Sequence, residues 1–264
     1  MRFKKYTMIQ QTNFKLVLPL VIVMTIFAAC NKSVHVGSDS PTKGIITGTI
    51  QTLDDKFNNT NDKEGIKITL TNYQNTSVTT DANGKFTFEN IPFDSYDLEF
   101  SKTGYGTYKI FGLKHELKDN GTTISTIVPS LQYSKISTTV ISSAAYTGNT
   151  INNEPGVSFT VGFTPAASIA NKCYVRYFLS TSPNVSNSNY MAYSTVRYFL
   201  NNSSTAGLTS AELNLMGFTS GQTVYIKIYG ESALANDYFN PNTGFRVFPN
   251  LNSTTVNAIS FVMP

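Results

Sequence analysis

The chain has 264 residues, of which 41% are hydrophobic and only 14% charged. So little charge beside 18 Phe and 15 Tyr excludes a disordered polyelectrolyte; two Cys and two His exclude a disulfide scaffold and a zinc site built on several such ligands. Four of the 20 basic residues (Arg2, Lys4, Lys5 and Lys15) precede residue 30, where no acid occurs, so the other 16 balance the 16 acidic residues and the body offers no electrostatic footprint for nucleic acid.

The first segment is a basic stretch followed by LVLPLVIVMTIFAA at 16–29, an uncharged run of 14 residues. About 20 apolar residues are needed to span a bilayer, so this run suits a secretion signal rather than a membrane helix. Pro19 weakens a plain helix further. The run closes on Phe27-Ala28-Ala29-Cys30, small residues and then a cysteine. This resembles the lipobox of bacterial lipoproteins, with Phe27 where Leu is usual. The resemblance implies cleavage before Cys30 and acylation of its sulfur and amine. Each buried methylene adds about 0.8 kcal/mol, so several acyl chains make a lasting anchor. Asn31-Lys32 follows, with no Asp next to the cysteine, which by the same resemblance directs the protein to the outer membrane. Residues 30–43 then read as a flexible polar tether that carries His35 in solvent.

From residue 44 to 132 the pattern is all-β. Ile66, Ile68 and Leu70 alternate with polar neighbours, as do Phe86 and Phe88, and then Tyr96, Leu98 and Phe100. Period two puts one face of each strand on a core. Asp81-Ala82-Asn83-Gly84 is the turn between two of these runs, and Asn-Gly predicts the positive φ angles of a tight hairpin. Pro92 punctuates the next turn. The set Gly48-Thr49-Ile50, Gly65 to Leu70, Thr80 to Phe88, Ile91-Pro92, Tyr96-Asp97-Leu98 and Gly104-Tyr105 resembles the carboxypeptidase regulatory-like family. That family is a small sandwich of the transthyretin type and an accessory module with no catalytic residues. The polar stretch DDKFNNTNDKE at 54–64 is an insertion relative to it.

Residues 135–264 are also patterned as strands. Val157, Phe159, Val161 and Phe163 alternate, then Cys173, Val175, Tyr177 and Leu179, then Val224, Ile226 and Ile228, and the chain closes on Ile259, Phe261 and Val262. A short helical turn is predicted within Leu208–Leu215. Turns rich in Gly, Ser and Asn between such runs suit a two-sheet sandwich. Gly217 to Tyr229 and Phe178 to Asn184 resemble fibronectin type III domains, with Ser220 for the usual Pro and Val224 at the place of the corner Tyr.

Chemistry is sparsely represented. A Ser or Cys nucleophile needs a base within hydrogen-bond reach, and the body offers only His115 and the tethered His35. Cys173, in an alternating strand, reads as core. Glu154, Glu212, Glu231 and Asp237 are few for a glycosidase pair. Asp54, Asp55, Asn58, Asn59, Asn61, Asp62 and Glu64 are hard oxygen donors, but their spacing lacks the calcium-loop glycine, and a solvated loop is expected. Aromatic residues concentrate at 190–199 and at Tyr238-Phe239, where Tyr193 and Tyr238 are the positions expected to stack on a sugar if any do.

The sequence therefore predicts a signal peptide at 1–29, a lipidated tether at 30–43, a regulatory-like sandwich at 44–132 and a fibronectin-like sandwich at 135–264. It predicts a non-catalytic, lipid-anchored envelope protein without cofactor or metal. Its expected partners are the membrane, through Cys30, and another protein; the alternative is a glycan-binding lipoprotein of a nutrient-uptake system.

Overall fold

The computed structural model describes residues 40–119, 123–202 and 204–264. The signal segment, Cys30, His35 and the tether as far as Asp39 lie outside the described residues. Strands dominate the rest because β-branched and aromatic residues alternate with polar ones throughout. The described residues form 18 strands and one short helix.

The first sandwich is built from β1 (Lys43–Leu53), β2 (Lys67–Leu70), β3 (Thr76–Thr79), β4 (Lys85–Pro92), β5 (Asp94–Ser101), β6 (Tyr108–His115), β7 (Ser125–Ile127) and β8 (Leu131–Ser134). One sheet has the order β4-β1-β7, with β8 also pairing β1; the other runs β3-β2-β5-β6. β1 is antiparallel to β4 but parallel to β7 and β8, the last in the register Ile50↔Leu131 to Leu53↔Ser134. Ile46, Ile50, Ile68, Leu70, Phe86, Phe88, Leu98, Phe100 and Tyr133 fill the space between the sheets. Burying each such side chain contributes about 1.5–3 kcal/mol. The Phe86 ring stands edge-on to Phe88 and Phe100 at 6.2 and 6.1 Å.

One expectation needs correction. The Asp81–Gly84 turn does not close a hairpin, because β3 pairs with β2 while β4 pairs with β1. The turn instead carries the chain from one sheet to the other. Asp81 Oδ1 accepts from the amides of Asn83 and Lys85, and Gly84 alone takes the positive φ, +79°. A Cβ on Gly84 would meet the Ile50 carbonyl oxygen at 2.2 Å, so glycine is required by close approach as well as by φ.

The second sandwich contains β9 (Val140–Ile151), β10 (Glu154–Thr164), β11 (Cys173–Ser180), β12 (Ala192–Tyr193), β13 (Arg197–Phe199) and β14 (Ser204–Thr209). They are followed by α1 (Ser210–Leu215), β15 (Thr223–Gly230), β16 (Tyr238–Asn240), β17 (Phe245–Val247) and β18 (Ile259–Val262). Sheet β14-β10-β9 faces sheet β12-β11-β15-β18, in which β13 also pairs β11. The predicted runs of β10, β11 and β15 supply the core, including Phe159, Cys173, Tyr177, Leu179, Val224 and Ile226. At the C-terminal end Phe261 is buried, whereas Val262 is exposed on the opposite face of β18. The predicted helical turn is α1. Its capping box, Thr209 with Glu212, satisfies amides at the helix start.

β8 leads into β9 through residues 135–139, and this crossing is heavily bonded. The Asp55 carboxylate, buried, accepts from the Thr138 amide at 2.8 Å and hydroxyl at 2.6 Å. Its main-chain oxygen accepts from the Ala233 amide. Asn236 accepts from the Ser134 amide at 2.8 Å and donates to the Gln132 oxygen at 2.7 Å. The Tyr238 ring meets Tyr108 and Phe111 of β6 at 5.6 and 6.2 Å. Most of the 54–64 segment is exposed or half-exposed, as expected of a solvated loop, but Asp55 is buried and straps the two sandwiches together.

Candidate functional site

The candidate site arises from the alternation of β11. Cys173, Val175, Tyr177 and Leu179 point into the sandwich core, so Arg176 and Phe178 face the other way. That outer face is covered by a small second core of Phe178, Val185, Tyr229, Phe248 and Leu251. The hairpin of β16 and β17 belongs to this cover.

Arg176 is buried within it. Its Nε donates to Glu231 Oε2 at 3.1 Å, and its Nη1 donates to the Ser194 carbonyl at 2.8 Å. The guanidinium lies 4.7 Å from the Phe248 ring centre and 5.8 Å from that of Tyr193. Asp237 stands 4.0 Å from Arg176 Nη2 and 3.4 Å from Arg246 Nη1. Burial pushes the Glu231 carboxyl up to about 7, against the opposing pull of Arg176. The buried pair thus fixes the floor on which the aromatic rings rest.

Above this floor Tyr190 contacts Tyr193, Phe245 and Phe248, while its hydroxyl donates to the Arg246 carbonyl at 3.1 Å. Tyr193 also packs on Phe248 at 5.0 Å. The rings are edge-on, with interplanar angles of 88° for Tyr190–Tyr193 and 77° for Tyr190–Phe245. Tyr193 and Phe245 remain 37% and 53% exposed. Isolated exposed apolar residues are ordinary, but rings held by a common buried base form a preorganised contact surface.

The two residues expected together at a sugar site are separated in role. Tyr193 belongs to this aromatic face. Tyr238 is half-buried against Tyr108 and Phe111 and serves the junction. Sequence reasoning missed Arg176 and Phe248, and met Glu231 only as one of the acids too few for a glycosidase pair. The available signal was a charged residue inside the otherwise apolar run CYVRYFL, with a second one just past the next apolar strand.

The other candidates have structural partners. His115 is buried, with Nδ1 2.8 Å from Thr126 Oγ1 and Nε2 3.2 Å from the Ile91 carbonyl. Burial depresses its pKa. The carbonyl can only accept, so Nε2 carries the proton and the Thr126 hydroxyl donates to Nδ1. Cys173 is buried and its thiol pKa is raised by burial. Glu212 belongs to the α1 cap and pairs with Arg197. Asp54 caps its own turn through the Lys56 and Asn58 amides, and Asp62 pairs with Lys102, which lowers its pKa. Among the described residues no three His, Cys, Asp or Glu side chains are grouped to hold a metal ion.

Two β-sandwiches, the second carrying an aromatic face, define an all-β protein. Residues 46–127 match the family model of the carboxypeptidase regulatory-like domain, a non-catalytic module. No curated protein matches the chain. Among solved structures, a DUF3823 family protein from Bacteroides uniformis is 13% identical, covering 84% of this chain and 100% of its own, with a TM-score of 0.27. A type II cohesin–X-dockerin complex from Acetivibrio cellulolyticus is 17% identical over 36% of this chain, which spans 59% of that chain's length, with a TM-score of 0.29. The major pilin SpaD from Corynebacterium diphtheriae is 15% identical, covering 83% of this chain and 65% of its own, with a TM-score of 0.24.

Proposed function

We propose that this is a lipid-anchored accessory protein of the outer membrane that docks another envelope protein without catalysis. The leader carries the anchoring part of this reading: a basic segment, a short apolar run and Ala28-Ala29-Cys30. The first sandwich, a regulatory-like module, stands between the anchor and the fibronectin-like second sandwich. The observation that carries the docking reading is the face of Tyr193 and Phe245, fixed from beneath by Arg176, Tyr190 and Phe248. Aromatic residues and Arg are enriched at protein interfaces, the rings because they bury large area at low entropic cost.

The test is a photoreactive amino acid at Tyr193 in the intact lipoprotein, crosslinked in cells. The expected result is one discrete envelope protein, lost with Phe245→Ala or with Cys30→Ser. Capture of only abundant neighbours, unchanged by Phe245→Ala, would overturn the reading. Direct glycan binding that Phe245→Ala abolishes would replace it with the alternative of a glycan-binding uptake lipoprotein.

A further inference from the structure

The second sandwich has an open seam. Among the described residues, β14 is the outer strand of one sheet, paired only with β10, and β13 is an outer strand of the facing sheet, paired only with β11. Between them lies a groove of about 440 Å³, lined among others by Ile151, Tyr177, Arg197, Phe199, Ala206 and Gly207. Outer strands are usually protected by Lys, Pro or another charge, because their free main-chain groups invite pairing. β14 reads Ser-Thr-Ala-Gly-Leu-Thr and has none of these.

Two polar atoms at this groove have no partner. The Tyr177 hydroxyl and Arg197 Nε are both buried and unbonded, although the rest of each side chain is well held. Tyr177 packs on Phe159 at 5.3 Å, and Arg197 Nη2 donates to Glu212 Oε1 at 2.7 Å. Unmet donors of this kind are costly, and an occupant that supplies an oxygen recovers the cost. Burial raises the Tyr177 pKa, so the phenol keeps its proton to donate. The Arg197 charge is already balanced by Glu212, which argues against a carboxylate ligand and for a neutral oxygen. A peptide carbonyl is such an oxygen, and an adjacent unpaired strand edge is what a peptide main chain pairs with.

We infer that the β13–β14 seam is a second binding site, which takes an extended uncharged segment of a partner protein as an added strand along β14, with a carbonyl of that segment accepting from Tyr177 and Arg197. The floor of Ile151, Phe199 and Ala206 selects apolar side chains at alternate positions of the segment. This site is separate from the aromatic face and stands whether or not that face docks a protein.

The test pans a random-peptide display library on the purified full-length lipoprotein and measures binding of the enriched peptides. The expected peptides alternate apolar with uncharged polar residues and slow amide exchange in β14. Thr205→Lys, which places a charge on the exposed edge, should abolish binding. Tyr177→Phe, which removes only the unbonded hydroxyl, should weaken it about fivefold without lowering the thermal midpoint. Phe245→Ala should leave it unchanged. No enrichment, or enriched peptides that bind Thr205→Lys equally well, would overturn the inference. So would concentration-dependent self-association abolished by Thr205→Lys, since the occupant would then be another copy of this chain.

Discussion

Arg176 shows how one residue can organise a surface. A guanidinium inside an apolar strand is tolerated only if its charge and donors are met, and Glu231, Ser194 and the Phe248 ring meet them. Removing Glu231 leaves the Arg176 Nε, a buried donor, without its acceptor. Glu231→Ala should therefore cost about 3–5 kcal/mol in urea unfolding, and should loosen Tyr193 and Phe248 as read by ring resonances. The carboxyl also sets a pH dependence. Its folded pKa is raised to about 7, above the unfolded value, so the folded state holds more protons between them. Stability contributed by this group is thus full in mild acid and falls as pH rises toward 7. Unfolding measured at intervals from pH 5 to 8 should show that fall, and Glu231→Gln should lack it; parallel slopes would refute the assignment. The burial of Cys173 was legible from alternation alone. The role of Arg176 was not, because alternation says which face a residue takes and not what covers that face.

At the level of elements, period two located β4, β5, β10, β11 and β15, and the Leu208–Leu215 stretch located α1. What local sequence left open was pairing. Asn83-Gly84 forms a tight turn as its chemistry demands, yet the strands on either side join different sheets, since β3 and β4 each find a better partner elsewhere. The 54–64 stretch holds one exception to its expected solvation, for a related reason. Its composition is that of a solvated loop, but Asp55 is buried by residues 83 positions away. Asp55→Ala strands the Thr138 amide and hydroxyl, and should lower stability by about 2 kcal/mol in denaturant unfolding. Asp54→Ala, in the same strand exit but with only local hydrogen bonds from its side chain, is the comparison that separates strapping from turn formation. The candidate face was half legible: Tyr193 came from aromatic density, whereas Phe245 and Phe248 required the hairpin of β16 and β17 to be seen folded over β11.

For the molecule as a whole, the crossing between the sandwiches is a bonded unit. Asp55, Asn236 and Tyr238 each reach from one sandwich to the other. Gly106 reinforces this, since a Cβ there would strike the Pro249 carbonyl oxygen at 2.3 Å. Scanning calorimetry should therefore show one cooperative transition, and the double variant Asp55→Ala/Asn236→Ala should split it into two; two transitions in the unaltered protein would show the crossing to be weak. The parallel pairing of β1 with β8 has one more consequence. β1 begins at Lys43, and β8 ends at Ser134 where the second sandwich starts. A pull between those two ends draws the strands past each other lengthwise, so the hydrogen bonds from Ile50–Leu131 to Leu53–Ser134 carry the load together instead of parting one at a time. A chain held at its N-terminal side and tugged through its second sandwich is thus loaded in shear, the direction in which a strand pair gives way last.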